Sequence, residues 1–232
     1  MELSGSKSTG LAGCRGVRLA YGSTIALDDV SFAVEQGETV AVTGPSGCGK
    51  TTLLHVLSGL LRPDAGEVYF ESEDFSTRSD AARSRLRLTS FGFVLQFGDL
   101  VPELTLRENV ELPLRVTGTR APVARRRAED LLGELGIGDL ADRQAGAVSG
   151  GQAQRAAVAR ALVHEPRVVF ADEPTGALDS GSGEAVLDCL FAAARERGAA
   201  VVMVTHAPEV AERADRVVRM RDGRVLQAVT VR

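Results

Sequence analysis

The chain has 232 residues, 44% of them hydrophobic and 25% charged, with 27 Lys+Arg against 31 Asp+Glu for a net charge of −4. That balance fits a globular chain with a sizeable core, and it supplies no global basic field for nucleic acid or anionic lipid. The three cysteines (Cys14, Cys48, Cys189) are odd in number and far apart, which fits a reducing compartment, and none has metal-ligand spacing to the three histidines.

In chain order, residues 1–10 are Ser/Gly-rich without an apolar core, so a flexible tail is expected and a signal peptide is not. Val17-Arg18-Leu19-Ala20-Tyr21 and Val30-Ser31-Phe32-Ala33-Val34 alternate in polarity and predict half-buried antiparallel strands around a Gly22 turn. Thr39-Val40-Ala41-Val42-Thr43 predicts a short apolar strand running into a glycine loop, with a helix over 50–60. The stretch 69–95 is polar until Phe91-Gly92-Phe93-Val94-Leu95, another strand candidate. Helical periods fill 96–165. The apolar runs at 167–171 and 200–204 suit a parallel sheet covered on both faces. Residues 216–225 read as a hairpin with Asp222-Gly223 at its turn. The basic run Arg125-Arg126-Arg127 reads as a solvated helix face. No run is apolar for long enough to cross a bilayer, so any membrane role is expected to come through a partner.

Gly44-Pro45-Ser46-Gly47-Cys48-Gly49-Lys50-Thr51 matches G-x-x-x-x-G-K-[ST] in full, after a strand and before a helix that continues through Thr52. Backbone N–H groups there wrap phosphates, and the helix N-terminus adds partial positive charge. Lys50 is expected to reach the β- and γ-phosphates of ATP, and the Thr51 hydroxyl to ligate Mg2+. Cys48, a thiol at a helix N-terminus, is expected to be activated and open to maleimide unless nucleotide is bound. Asp172 and Glu173 follow an apolar strand at the edge where open α/β sheets bind ligands. Asp172 suits Mg2+ through water, and Glu173 suits polarising the water that attacks the γ-phosphate.

Ser149-Gly150-Gly151-Gln152 opens a helical run with Ser149 as a plausible N-cap. Two glycines are costly for helix initiation alone, and they make sense where bare backbone approaches an anion, here the γ-phosphate held by another copy. Gln96 and His206 each end an apolar strand. Gln96 is placed to touch Mg2+ or the attacking water, and His206 to donate to the γ-phosphate. Read alone, either is as readily a structural polar group. Asp179 is placed to steady a facing subunit across a dimer seam. Tyr21 suits stacking on adenine, with plain packing as the alternative.

Together, in this order, these residues resemble the ATP-binding-cassette (ABC) ATPase family along nearly the whole chain. The resemblance places Tyr21 at the adenine-stacking aromatic, 44–51 at the Walker A loop and Gln96 at the Q-loop. It places 149–152 at the family signature, Asp172-Glu173 at the Walker B end, Asp179 at the D-loop and His206 at the switch histidine. It implies an α/β fold: a P-loop NTPase (RecA-like) core, 11–95 and 166–232, with an antiparallel β subdomain and an inserted α-helical subdomain over 96–165. Ala171-Asp172-Glu173-Pro174-Thr175-Gly176 and the stretch from Leu100 through Glu108-Asn109-Val110 are similar to lipoprotein-releasing and macrolide-efflux ATPase subunits. Val148, Ala153, Ala177 and Leu95 depart from the usual family residues without removing a catalytic group.

The resemblance implies an ATPase that dimerises head-to-tail, as homodimer or heterodimer, around two ATP. It would drive a separate integral-membrane permease from the cytoplasmic side of the inner membrane. Export or extraction of a hydrophobic substrate, lipoprotein or peptide is the expected task, with residues 100–114 carrying motion to a permease helix. A non-transport ATPase regulating a periplasmic or cell-wall process through a permease-like partner is the alternative. The short separation of Lys50 and Ser149 leaves no room for the coiled coil of chromosome-organising relatives, and no nucleic acid partner is expected.

Overall fold

The structure, a computed structural model, describes residues 10–96 and 99–231. Strands β1 (Ala12–Tyr21) and β2 (Thr24–Val34) form an antiparallel hairpin. On its other edge β1 takes β4 (Ala65–Phe70), which pairs in turn with the short β5 (Glu73–Asp74), giving the order β2-β1-β4-β5. The second sheet runs β10-β9-β3-β8-β7-β6. Its members are β3 (Thr39–Thr43), β6 (Phe91–Val94), β7 (Val168–Asp172), β8 (Ala200–Val204), β9 (Arg216–Arg221) and β10 (Arg224–Thr230). All are parallel except β10, which returns beside β9 through Asp222-Gly223.

This parallel sheet is apolar at successive residues because each of its faces meets a different core. Val40, Val42, Val168, Phe170, Val202 and Val204 point to one side, into a core shared with the antiparallel sheet and α1 (Lys50–Leu57). Ala41, Val169, Ala171, Val201 and Met203 point to the other side, into a core closed by helices. Neighbouring strand residues face opposite ways, so a sheet covered on both sides has no polar positions in its middle.

The helices on the second side include α3 (Leu106–Val116), α4 (Ala121–Glu134), α5 (Gly150–Leu162) and α6 (Ser180–Glu196). Helix α3 starts with a capping box, Thr105 with Glu108. Its fully buried Asn109 ties down the approach to that helix. The amide oxygen accepts from Val101 N at 2.7 Å, and the amide nitrogen donates to the carbonyls of Val101, Leu104 and Thr105. Helix α5 lies close on β6, since a Cβ on Gly92 would sit 2.3 Å from the Ala161 carbonyl oxygen.

Several expectations shift. The first helix ends at Leu57 and not at 60, with Gly59 taking a left-handed φ of 68° beyond it. The strand expected at 167–171 runs one residue later, so Asp172 ends β7 and is not part of the following loop. The polar stretch before Phe91 holds β4, β5 and α2 (Asp80–Ser90), a helix with Arg83 as its one buried residue. The short α7 (Pro208–Ala211) follows β8. The expected tail over 1–10 lies outside the described residues except for Gly10. Among the described residues no helix is long and apolar enough to cross a membrane.

Phe91 joins the two sheets. It is 1% exposed and meets the edges of Phe70 and Phe170 at centroid distances of 5.1 and 5.2 Å. Phe91→Ala is expected to cost about 3–5 kcal/mol, read as a lowered urea midpoint with unchanged slope. A shift equivalent to less than about 1 kcal/mol would mean that this contact does not hold the sheets together.

Candidate nucleotide site

Strand β3 delivers the glycine loop to the N-terminus of α1. Gly49, the residue before α1, has φ 102°, and a Cβ there would meet the Ala26 carbonyl oxygen at 2.4 Å, so only glycine fits. The loop is also tied to the β9–β10 turn, where Gly223 N donates to Cys48 O at 3.1 Å. Helix α1 has no side-chain cap and no acidic residue in its first turn. Its leading N–H groups therefore keep their partial positive charge for an anion. Lys50, 9% exposed, donates from Nζ to the carbonyls of Gly44 and Pro45, each at 2.9 Å. Cys48 departs from expectation: it is 5% exposed, with Sγ packed against the Gly44 position, so the thiol is shielded from maleimide.

Thr51, Gln96, Asp172 and Glu173 line one pocket of about 260 Å³ together with Leu95 and Asp99. The Thr51 hydroxyl donates to Asp172 Oδ1 at 3.4 Å. Burial raises the Asp172 carboxyl above the usual carboxylate range, partly offset by that hydroxyl. Two hard oxygen donors and an amide beside a phosphate seat suit Mg2+, which takes few protein ligands and completes its shell with phosphate and water. Asp99 is the residue the sequence reading passed over. It stands three positions after Gln96, where the apolar strand pattern has already ended.

Glu173 adopts φ 47°. Its N–H donates to Val204 O at 3.0 Å, and His206 Nδ1 lies 2.8 Å from Oε1. A carboxylate only accepts, so the imidazole supplies the proton of this bond. A non-glycine residue held in the left-handed region carries backbone strain that its surroundings must hold in place. Gln96 closes the group, its amide lying 2.9 Å from where a Gly176 Cβ would stand.

Ser149 caps α5 reciprocally. Its hydroxyl accepts from Gln152 N, and the Gln152 side chain accepts from Ser149 N at 3.0 Å. Gly150 packs on Leu178 and Gly151 on Ser182. Asp179 caps α6 by accepting from Ser182 N at 2.9 Å, a bond that holds its carboxyl below the usual range. Two helix N-termini thus lie side by side. Among the described residues no hydrogen bond or ion pair joins 149–152 to 44–51. Tyr21 is 55% exposed at the end of the β1–β2 hairpin, which weighs against the packing alternative.

A strand, a phosphate-wrapping loop, an uncapped helix and carboxylates at the end of a parallel strand define a P-loop nucleotide hydrolase. Residues 27–176 match the family model for the ABC transporter, and the chain belongs to that family. It is 45% identical over 213 residues to the lipoprotein-releasing system ATP-binding protein LolD 2 of Caulobacter vibrioides, covering 90% of this chain and 93% of that one. It is 45% identical over 206 residues to the macrolide export ATP-binding/permease protein MacB of Brucella melitensis, covering 89% of this chain and 32% of that one. The chain thus spans about a third of MacB. Among solved structures, the dimeric cassette MJ0796 bound to ADP and Pi is 36% identical at a TM-score of 0.87, covering 95% and 99% of the two chains. The chain binds and hydrolyses ATP.

A raised folded-state pKa means that Asp172 favours folding fully only below its ordinary pKa, and that this contribution is lost as pH rises through the folded value. Asp172→Asn is therefore expected to raise the melting temperature of the nucleotide-free chain at pH 7, with the gain shrinking toward pH 4. A gain that grows on acidification would contradict the burial argument.

Proposed function

We propose that the chain is the ATPase subunit of a membrane transporter and works as a head-to-tail pair. ATP lies on Lys50, Thr51, Thr52 and the 44–49 backbone of one copy, with adenine on Tyr21. Mg2+ is held by Thr51 and Gln96, and by Asp172 through water. Ser149, Gly150, Gly151 and Gln152 of the second copy close over the γ-phosphate, and Asp179 steadies the seam. Glu173 activates the attacking water, while Gln96 and His206 read the γ-phosphate. The Glu173–His206 hydrogen bond supports this pairing of roles.

One observation carries the reading. The chain builds two helix starts, at α1 and α5, and among the described residues no hydrogen bond joins 149–152 to 44–51, which supports a second copy bringing its signature onto a bound nucleotide. The names of the relatives favour transport over cell-wall regulation. They also support export or extraction of a hydrophobic substrate, lipoprotein or peptide, and a peripheral position on the cytoplasmic side of the inner membrane belongs to the same reading. The domain division into a core, 11–95 and 166–232, and a helical insert, 96–165, belongs to the same reading.

The permease's cytoplasmic helix is assigned to an apolar groove of about 520 Å³ lined by Leu54, Phe93, Leu95, Leu112, Pro113 and Val116. Val116 is 67% exposed there. Arg87 and Arg160 also line it, and among the described residues no carboxylate does, so the groove complements an apolar helix carrying an acidic residue. Leu100 faces the core instead, which moves the expected docking face toward the C-terminal end of α3.

Mixing two inactive variants tests the trans arrangement. Lys50→Ala and Ser149→Arg each spoil both sites of their own dimer, but a mixed pair holds one site with intact halves. Phosphate release is expected to be lost in each variant and recovered on mixing. Recovery absent at every ratio, or Ser149→Arg active alone, contradicts the proposal.

A further inference from the structure

The chain as a whole has a net charge of −4, yet residues 112–128 hold five arginines and no aspartate or glutamate. They cover the end of α3, the turn after it and the first half of α4. Three of the five are matched: Arg125, Arg126 and Arg127 reach Glu129, Asp130 and Glu165 at 2.8, 3.8 and 4.0 Å. Arg115 and Arg120 are exposed and form no ion pair among the described residues. Beside them stand Val116, 67% exposed, and Val123, whose N–H donates to Arg120 O.

The apolar groove has a second edge of the same kind. Val116 lines it from α3, and Leu60, 47% exposed, lines it from the turn after α1. Arg62 follows Leu60, and Arg85 follows Ser84 of α2, which also lines the groove. Both arginines are exposed and form no ion pair among the described residues. The carboxylates nearest them in sequence are already engaged. Arg83 bonds Asp80, Arg107 lies 3.5 Å from Glu111, and Asp64 accepts from Ala20 N at 2.8 Å.

Exposed cations without counter-charges favour an anionic partner, and exposed leucine and valine beside them favour one with an apolar layer below its charge. A bilayer surface with anionic headgroups has both, since guanidinium groups pair with lipid phosphates while short aliphatic side chains enter the headgroup boundary. Nucleic acid or an acidic peptide would match the charge and leave the aliphatic side chains in water. We propose that the two edges of the groove rest on an anionic bilayer surface, with Arg62 and Arg85 on one side and Arg115 and Arg120 on the other. Leu60 and Val116 sit at the headgroup boundary between them. The chain makes this contact itself, in addition to whatever the groove receives. Vesicle binding needs no permease, so this proposal and the reading of the groove succeed or fail separately.

The test sediments the full chain with vesicles of phosphatidylcholine alone, or mixed equally with phosphatidylglycerol, at low and at high salt. Binding is expected to the mixed vesicles only, and salt is expected to weaken it. An arginine near such a surface is worth about fivefold, so Arg115→Gln with Arg120→Gln is expected to lower the partition about 25-fold. Arg62→Gln with Arg85→Gln, on the other edge, is expected to do the same and decides the matter if the first pair fails to fold. Val116→Ser is expected to weaken binding equally at both salts, because its contribution is apolar. Arg219→Gln with Arg221→Gln removes the same charge from β9, toward the opposite edge of the parallel sheet, and is expected to change the partition less than about twofold. No binding to the mixed vesicles, or equal losses from the β9 pair and the groove-edge pairs, overturns the proposal. Binding of polyglutamate through the groove-edge arginines without binding of the vesicles assigns the patch to an acidic protein, and overturns it too.

Discussion

The parallel sheet gives the site its direction. β3, β7 and β8 run the same way, so their carboxyl ends deliver the glycine loop, Asp172-Glu173 and His206 to one edge. At that edge lies the uncapped start of α1, whose unpaired N–H groups favour an anion. The positive seat and the carboxylates stand close because strand register fixes both: Val42, just before the glycine loop, and Asp172 each pair with Val204, whose O accepts from Glu173 N. Lys50 donates to carbonyls of its own loop, partners that phosphate oxygens can replace without unfolding anything.

Charge also supports the proposed pairing of two copies. Triphosphate carries more negative charge than one helix start and one lysine offset. In the proposed pair, the second helix start, at Ser149, comes from the other copy. Bringing it over the γ-phosphate would add its dipole in a space from which water is largely excluded, where such interactions are stronger. Gly150 and Gly151 pack on Leu178 and Ser182, so this start and that of α6, capped by Asp179, share one surface.

The apolar strands were legible because a sheet covered on both sides leaves a continuous run of valine and alanine. Thr39–Thr43 and Ala200–Val204 stand at the positions their runs suggest. Helix α2 was illegible because, of its eleven residues, only Arg83 is buried, and its leucines meet the core and the groove only in part. Helix α6 hides behind Ser180-Gly181-Ser182-Gly183, which reads as a loop until Asp179 is seen to cap it. The pocket residues Thr51, Gln96, Asp172 and Glu173 were nameable from their places after strands. The burial of Cys48 was not, because it joins a core that includes Met220 and its carbonyl is bonded by Gly223 N, both near the far end of the chain. Asp99 has no pattern around it, and Arg160 looks like any arginine on a helix. Their link, Arg160 Nη1 donating to Asp99 O at 2.6 Å, is visible only in three dimensions.

Light scattering on Glu173→Gln, run with ATP, with ADP and without nucleotide, tests the central claim most directly. A monomer alone and with ADP, a dimer with ATP, and loss of that dimer when Ser149→Arg is added are expected. A monomer under all three conditions, or a dimer indifferent to nucleotide and to Ser149→Arg, would contradict it.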